Sequence, residues 1–137
     1  MGARERGEPH TVGFLDLDRF KVVNDRFGHA AGDRLLREIG GVMTRVVRGG
    51  DVLARIGGDE FALLLANCRI DDARRVAEKL CTAVASYRIE HGGESLGVGV
   101  SIGLAAVAPA VAVSQVLAEA DAACYQAKAG GRNAVSG

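Results

Sequence analysis

Two apolar runs, DVLARI at 51–56 and EFALLLA at 60–66, are separated by Gly57, Gly58 and Asp59. This joint constrains the chain more than any other feature. Glycines between apolar runs are the strongest short-range hairpin signal, because tight hairpin turns need positive φ, which glycine adopts at no steric cost. A hairpin is antiparallel, so at least part of the sheet must be. Asp59 and Glu60 stand at its tip. Adjacent acids there have a plain explanation, since Asp and Gly are good turn formers on solvated surfaces. The alternative is that the turn aims carboxylates at a cation.

The neighbouring patterns extend the sheet. TVGFLDLD (11–18) is an apolar, β-rich run that ends on two acids, as a buried strand reaching a functional edge would. From Leu35 the apolar positions Leu35, Ile39, Val42, Met43 and Val46 recur at helical spacing, with Gly32-Asp33 placed to start the helix and Gly49-Gly50 to stop it. A second amphipathic helix carries Ala73, Val76, Ala77, Leu80 and Val84 on one face. The stretch YRIEHGGESLGVGVSIGLAAV reads as two strands around His91-Gly92-Gly93, and a last helix buries Val113, Val116, Leu117, Ala120, Cys124 and Ala127. The order β-α-β-β-α-β-β-α predicts an α/β sandwich with one central, mostly antiparallel sheet flanked by helices.

A chain of 137 residues fits one domain of roughly 100 to 200 residues. Seventeen basic and seventeen acidic residues cancel, so the broad positive field that holds a nucleic-acid backbone is missing and nucleic acid is not an expected partner. A small phosphorylated ligand needs only a few local cations. The three cysteines show no paired spacing for zinc or disulfides, which favours a reducing, cytoplasmic setting. No apolar run reaches the ~18 to 20 residues of a membrane span, so direct membrane contact is not expected. The start MGARERGEPH has no signal-peptide core, and residues 1–11 read as a linker or cloning remnant.

Asp16 and Asp18 close the first strand, and Asp59 and Glu60 close the hairpin. If those strands are neighbours joined by a βαβ crossover, their carboxylates converge. Oxygen-only clusters suit Mg²⁺ or Mn²⁺, which complete their shells with water and phosphate oxygens, so the implied ligand is a nucleoside triphosphate.

FLDLDRFKVVND, FGHAAGD, RIGGDEF, SIGLA, ADAACYQAK and GGRN follow one another in the order and spacing of the GGDEF domain family, the diguanylate cyclases, which the chain resembles from about residue 12 to residue 133. The resemblance implies a fold similar to nucleotide cyclases and the polymerase palm. It also implies one GTP per domain, two domains facing each other as a homodimer, and condensation of two GTP to cyclic di-GMP with release of pyrophosphate.

By the same resemblance, Asp16 and the main-chain carbonyl of Leu17 bind metal and Asp59 completes the site. Glu60 is a second metal ligand or helps to deprotonate the attacking 3′-hydroxyl. Which acid is the base stays open, so Asp59 and Glu60 are both catalytic candidates, with Lys21. Asn24 and Asp33 match the guanine-reading positions. A carboxylate accepts from the N1 and N2 hydrogens of guanine and finds no such pair on adenine. Their plain alternative is helix capping. Phe20, Lys21 and His29 match substrate-contacting positions, Lys128 and Arg132 match cations that approach the triphosphate, and Gly57 and Gly58 would let the backbone approach the nucleotide. Lys21 is expected nearest the metal acids. Arg48 and Asp51, in RGGD, match the inhibitory site at which cyclic di-GMP binds as product and feedback ligand; arginine's planar fork suits phosphate or the guanine edge.

The family normally opens with a helix and a DxLTGLxNR-like stretch, which MGARERGEPHTVG does not resemble, so 12–137 is expected to be a GGDEF domain without its usual N-terminal helix, taken from a larger protein with sensory or EAL domains. Two other functions fit the same residues: a catalytically silent GTP-binding regulatory module, and a cyclic di-GMP receptor working through Arg48 and Asp51.

Overall fold

The computed structural model describes residues 10–107 and 112–137. Of the expected linker, 1–9 lie outside the described residues, while His10 and Thr11 already belong to the first strand, β1 (His10–Asp18). The other elements are α1 (Phe20–Phe27), α2 (His29–Val46), β2 (Val52–Gly57), β3 (Glu60–Leu65), α3 (Ile70–Ser86), β4 (Arg88–His91), β5 (Glu94–Gly97), β6 (Gly99–Val107), α4 (Val113–Ala129) and β7 (Val135–Ser136).

The hairpin forms where the glycines predict it, and β2 pairs antiparallel with β3. The main sheet has five strands in the order β2-β3-β1-β6-β7, antiparallel except for the β6–β7 pair. β1 therefore sits at its centre, beside β3, and the β1–β3 pairing is antiparallel rather than the parallel pairing of a βαβ crossover.

Strand alternation divides the core into two layers. Leu15 and Leu17 of β1, with Phe61, Leu63 and Leu65 of β3 and Val100, Ile102 and Leu104 of β6, pack against the apolar faces of α1, α2 and α3. On the other face Val12 and Ala105 pack against Val116 and Ala120 of α4. Buried leucines such as Leu15, Leu35 and Leu80 each contribute roughly 1.5–3 kcal/mol, and both sheet faces carry helices, as a sandwich requires. Cys124 and Ala127 are also buried and Leu117 partly so, while the side chain of Val113 lies outside the described set.

Three expectations are corrected. The first helix begins at His29 rather than beyond Gly32-Asp33, which lie inside it. A further helix, α1, precedes it; its inward face is only Val23 and Phe27, too short a pattern to stand out. The expected second strand after His91 is two, β5 and β6, parted at Val98, because β4 and β5 form a separate two-stranded sheet that leaves the main one. That small sheet rests on the α1–α2 pair: Arg26 pairs with Glu94 at 2.5 Å, Arg34 donates to the Glu90 carbonyl at 3.1 Å, and Phe27 stacks on His91.

Candidate active site

The turn at Gly58-Asp59 is pinned to the end of the central strand, where the Leu17 N–H donates to the Asp59 carbonyl at 3.1 Å. Gly58 has φ 46°, so the positive-φ requirement falls there and not on Gly57, which ends β2 in extended backbone. The pin sets the register. Asp16 stands directly opposite Glu60, and directly opposed residues share a face with their Cβ atoms about 4.5–5.5 Å apart.

Charge crowds at this point. The Asp16 carboxyl is pushed up to about 6, first by burial and then by the neighbouring charges of Asp59, Glu60 and Asp18, with Lys128 pulling the other way. Asp16, Asp59 and Glu60 are all partly buried. Burial is the larger cause, and the like charges around Asp16 add to it.

Asp18 has a different task from Asp16. Only 3% exposed, it accepts from Ser101 Oγ at 2.8 and 3.1 Å, from Lys128 Nζ at 3.0 Å and from the Asn133 N–H at 2.7 Å. Its lone pairs are committed to these partners, which leaves Asp16, Asp59 and Glu60 of the four expected acids at this end of the sheet. Among the described residues, no three His, Cys, Asp or Glu side chains are gathered so as to hold a metal by themselves. The donor set still suits Mg²⁺ or Mn²⁺. It is all oxygen, and these ions use one or two carboxylates with water and phosphate for the rest.

Among the described residues Lys128 is the cation paired with these acids, 3.7 Å from Asp16 Oδ1. Burial would lower its ammonium, but the Asp18 hydrogen bond and the charges of Asp16 and Asp18 outweigh that and raise it, so it stays charged. Lys21, expected nearest the acids, is exposed on α1 and forms no ion pair with another described residue. Arg132 is exposed in a left-handed stretch, φ 65°, that continues through Asn133, φ 43°, and turns the Asn133 N–H back onto Asp18. Sequence reasoning gave Asp18, Ser101 and Asn133 no part in this anchor. The two acids at 16 and 18, either side of Leu17, were the available signal.

Asn24 lies within α1 and Asp33 within α2, so neither is a cap. Asp33 is exposed and, with Leu36, Arg37, Gly40, Arg55 and Phe61, lines a cleft of about 510 Å³ between α2 and the hairpin. Asn24 Oδ1 is buried with no hydrogen-bond partner among the described residues. Phe20 packs at the edge of the larger core, and His29 is exposed at the start of α2.

Arg48 and Asp51 lie away from this cluster, before β2. The Arg48 fork closes on Asp51, Nε to Oδ2 at 3.0 Å and Nη2 to Oδ1 at 3.1 Å, and Nη2 also reaches the Ala66 carbonyl at 3.1 Å. Burial alone would raise the Asp51 carboxyl; the hydrogen bonds and charge of Arg48 hold it below its ordinary value instead. Cys81 and Cys124 are buried, and burial first of all pushes their thiols up to about 11 and about 12, so they behave as small apolar residues.

The family described as diguanylate cyclase, GGDEF domain, matches residues 1–134. The probable diguanylate cyclase DgcE of Escherichia coli K12 is 46% identical over 128 residues, covering 93% of this chain and 12% of that protein. The response regulator PleD of Caulobacter vibrioides is 40% identical over 134 residues, covering 96% of this chain and 30% of PleD. The chain thus spans well under half the length of these relatives. Among solved structures, the diguanylate cyclase SiaD of Pseudomonas aeruginosa, in complex with its activator SiaC, superposes with a TM-score of 0.92 at 38% identity, covering 97% of this chain and 51% of SiaD. The GGDEF domain of DgcB from Caulobacter crescentus, in complex with c-di-GMP, gives 0.91 at 34% identity, covering 98% and 80%. Among the described residues no helix is long and apolar enough to cross a membrane.

Proposed function

The chain belongs to the diguanylate cyclase GGDEF-domain family, and from that premise we propose that it condenses two GTP into cyclic di-GMP, one nucleotide held by each of two facing copies. The observation that carries the reading is the crowding of Asp16 by Asp59 and Glu60 at the pinned end of the sheet.

In the proposed reaction the 3′-oxygen of one GTP bonds to the α-phosphorus of the other, the bond to the β-phosphate oxygen breaks, and pyrophosphate leaves. The hydroxyl proton passes to a carboxylate at 59 or 60. The same step in the reverse sense closes the ring, so two GTP give one cyclic di-GMP and two pyrophosphates. A divalent cation, Mg²⁺ or Mn²⁺, held by Asp16, Asp59, Glu60 and the Leu17 carbonyl would supply the positive charge that triphosphate and developing oxyanion need. Lys128 faces the same acids and, with Lys21 and Arg132, offsets charge on the phosphates. Asp33 accepts from the N1 and N2 hydrogens of guanine, Asn24 completes the reading of the base, and Phe20 and His29 border the nucleotide. Gly57 and Gly58 keep the hairpin bare where it passes the ligand: a Cβ at either would meet no protein atom within 4 Å, so the space is open for a nucleotide.

A second site is proposed at Arg48 and Asp51. Arg48 is half exposed and carries donors suited to phosphate or guanine, so cyclic di-GMP can compete with Asp51 for the fork and act as a feedback ligand. The whole protein is proposed to be cytoplasmic, where GTP is available, with sensory or EAL domains joined to this one.

Incubation with GTP and Mg²⁺ at rising protein concentration, with chromatography of the nucleotides, tests the reading. Cyclic di-GMP and pyrophosphate should form at a specific rate that rises with concentration, because the site is split between copies. GTP binding without product at any concentration would leave a silent regulatory module. Cyclic di-GMP binding without GTP binding would leave a receptor.

A further inference from the structure

Gly32 is buried inside α2, where glycine is a poor helix former. Its neighbour explains it. A Cβ built on Gly32 would lie 1.8 Å from Asn24 Oδ1 and 2.9 Å from Asn24 Cγ, with Phe20 Cζ at 3.4 Å. The Asn24 carboxamide therefore lies directly on the bare backbone of α2. The two helices are tied on either side of this contact, since the Gly28 N–H donates to the Asn24 carbonyl at 2.9 Å and the Gly32 N–H to the Gly28 carbonyl at 3.1 Å.

The amide end pressed against Gly32 is buried with no partner among the described residues. A fold rarely leaves a buried acceptor unpaired, because the loss of water is then uncompensated, so such a group needs a reason. Stability alone would replace this pair by an alanine on α2 and an apolar residue on α1.

We propose that Gly32 is a positioning residue for the base: its bare α-carbon is the seat that holds the Asn24 carboxamide, and through it sets how strictly the site prefers guanine. The inference rests on Asn24 and Asp33 reading the base. Asp33 is the next residue along α2, so seating Asn24 against Gly32 fixes the amide relative to that carboxylate. A methyl group at 32 cannot be met by a small adjustment. Side-chain torsions occupy discrete staggered wells, so an overlap at 1.8 Å sends the amide to another rotamer. The displaced atoms are the far end of a flexible side chain, so the fold survives and the base site is what changes.

The test is a double-mutant cycle on the chain as it stands, Gly32→Ala and Asn24→Ala singly and together, reading GTP and ATP affinity and the melting temperature. Gly32→Ala alone should weaken GTP about tenfold, a typical cost of one lost polar contact, while ATP binding hardly moves, so the preference for guanine falls. In the Asn24→Ala background the same substitution should cost nothing in GTP affinity and should raise the melting temperature, because alanine is the better helix former once the amide is gone. Equal loss of GTP affinity in both backgrounds, or wild-type affinity and selectivity in Gly32→Ala, would overturn the proposal. If wild type binds no GTP, the base-reading premise falls and the selectivity role with it. The melting cycle still separates that outcome from a failed seat, which would show as the same shift in both backgrounds.

Discussion

Lys128 and Asp18, 110 residues apart in the chain, share a 3.0 Å charged hydrogen bond that ties the end of α4 to the end of β1. The same carboxylate holds Ser101 Oγ and the Asn133 amide, so one buried acid sets the position of the cation that faces Asp16. Asp18→Ala should strand these donors and lower unfolding free energy by about 2–4 kcal/mol in urea titration, with turnover falling as well. Unchanged stability would mean that the anchor is ornamental.

The two glycines of the hairpin should respond differently. Gly58, at φ 46°, resists any side chain, and Gly58→Ala should cost about 1–2 kcal/mol. Gly57 is extended with open space around it, so Gly57→Ala should stay within about 0.5 kcal/mol of wild type in chemical denaturation while GTP affinity drops. Full GTP affinity in Gly57→Ala would remove this glycine from the nucleotide site.

Arg48→Ala should have two effects with one cause. Asp51, its side chain only 2% exposed, would keep a buried carboxylate with its main partner gone, which costs about 1–3 kcal/mol. Inhibition of turnover by added cyclic di-GMP should disappear in the same variant. Retained inhibition would place the feedback site elsewhere.

What could be read from the sequence was what local pattern encodes. The hairpin was legible because two glycines interrupt two apolar runs, and β1 because its apolar residues run up to Asp16 and Asp18. α1 was not, since Phe20–Phe27 opens on Arg19 in a left-handed conformation with no capping side chain and no acid in its first turn. The start of α2 was misplaced because Gly32 reads locally as a breaker, whereas its bareness answers a contact with the neighbouring helix. The resemblance singled out Asp16 for metal, but the residues by themselves did not divide the labour between Asp16 and Asp18, for a related reason. Their spacing is the same in either role, and the partners that claim Asp18 lie 83 to 115 residues further on.

The raised Asp16 carboxyl gives the sharpest measurement without nucleotide. Its folded value, about 6, lies above its ordinary 3.8, so the folded chain holds this proton more tightly than the unfolded one. Its contribution is therefore fully present below about 3.8 and is lost as pH rises to about 6. In chelator, Asp16→Asn removes the crowded charge, so the variant should gain stability relative to wild type across that window and keep the gain at neutral pH. Divalent cation should act in the opposite sense. Added Mg²⁺ or Mn²⁺ at neutral pH should raise the wild-type melting temperature by neutralising the acids, should do little for Asp16→Asn, and should lose its effect below about pH 6, where a proton competes for the same oxygen. A wild-type stability difference from Asp16→Asn that is flat with pH, or an equal cation response in both proteins, would separate Asp16 from the metal site.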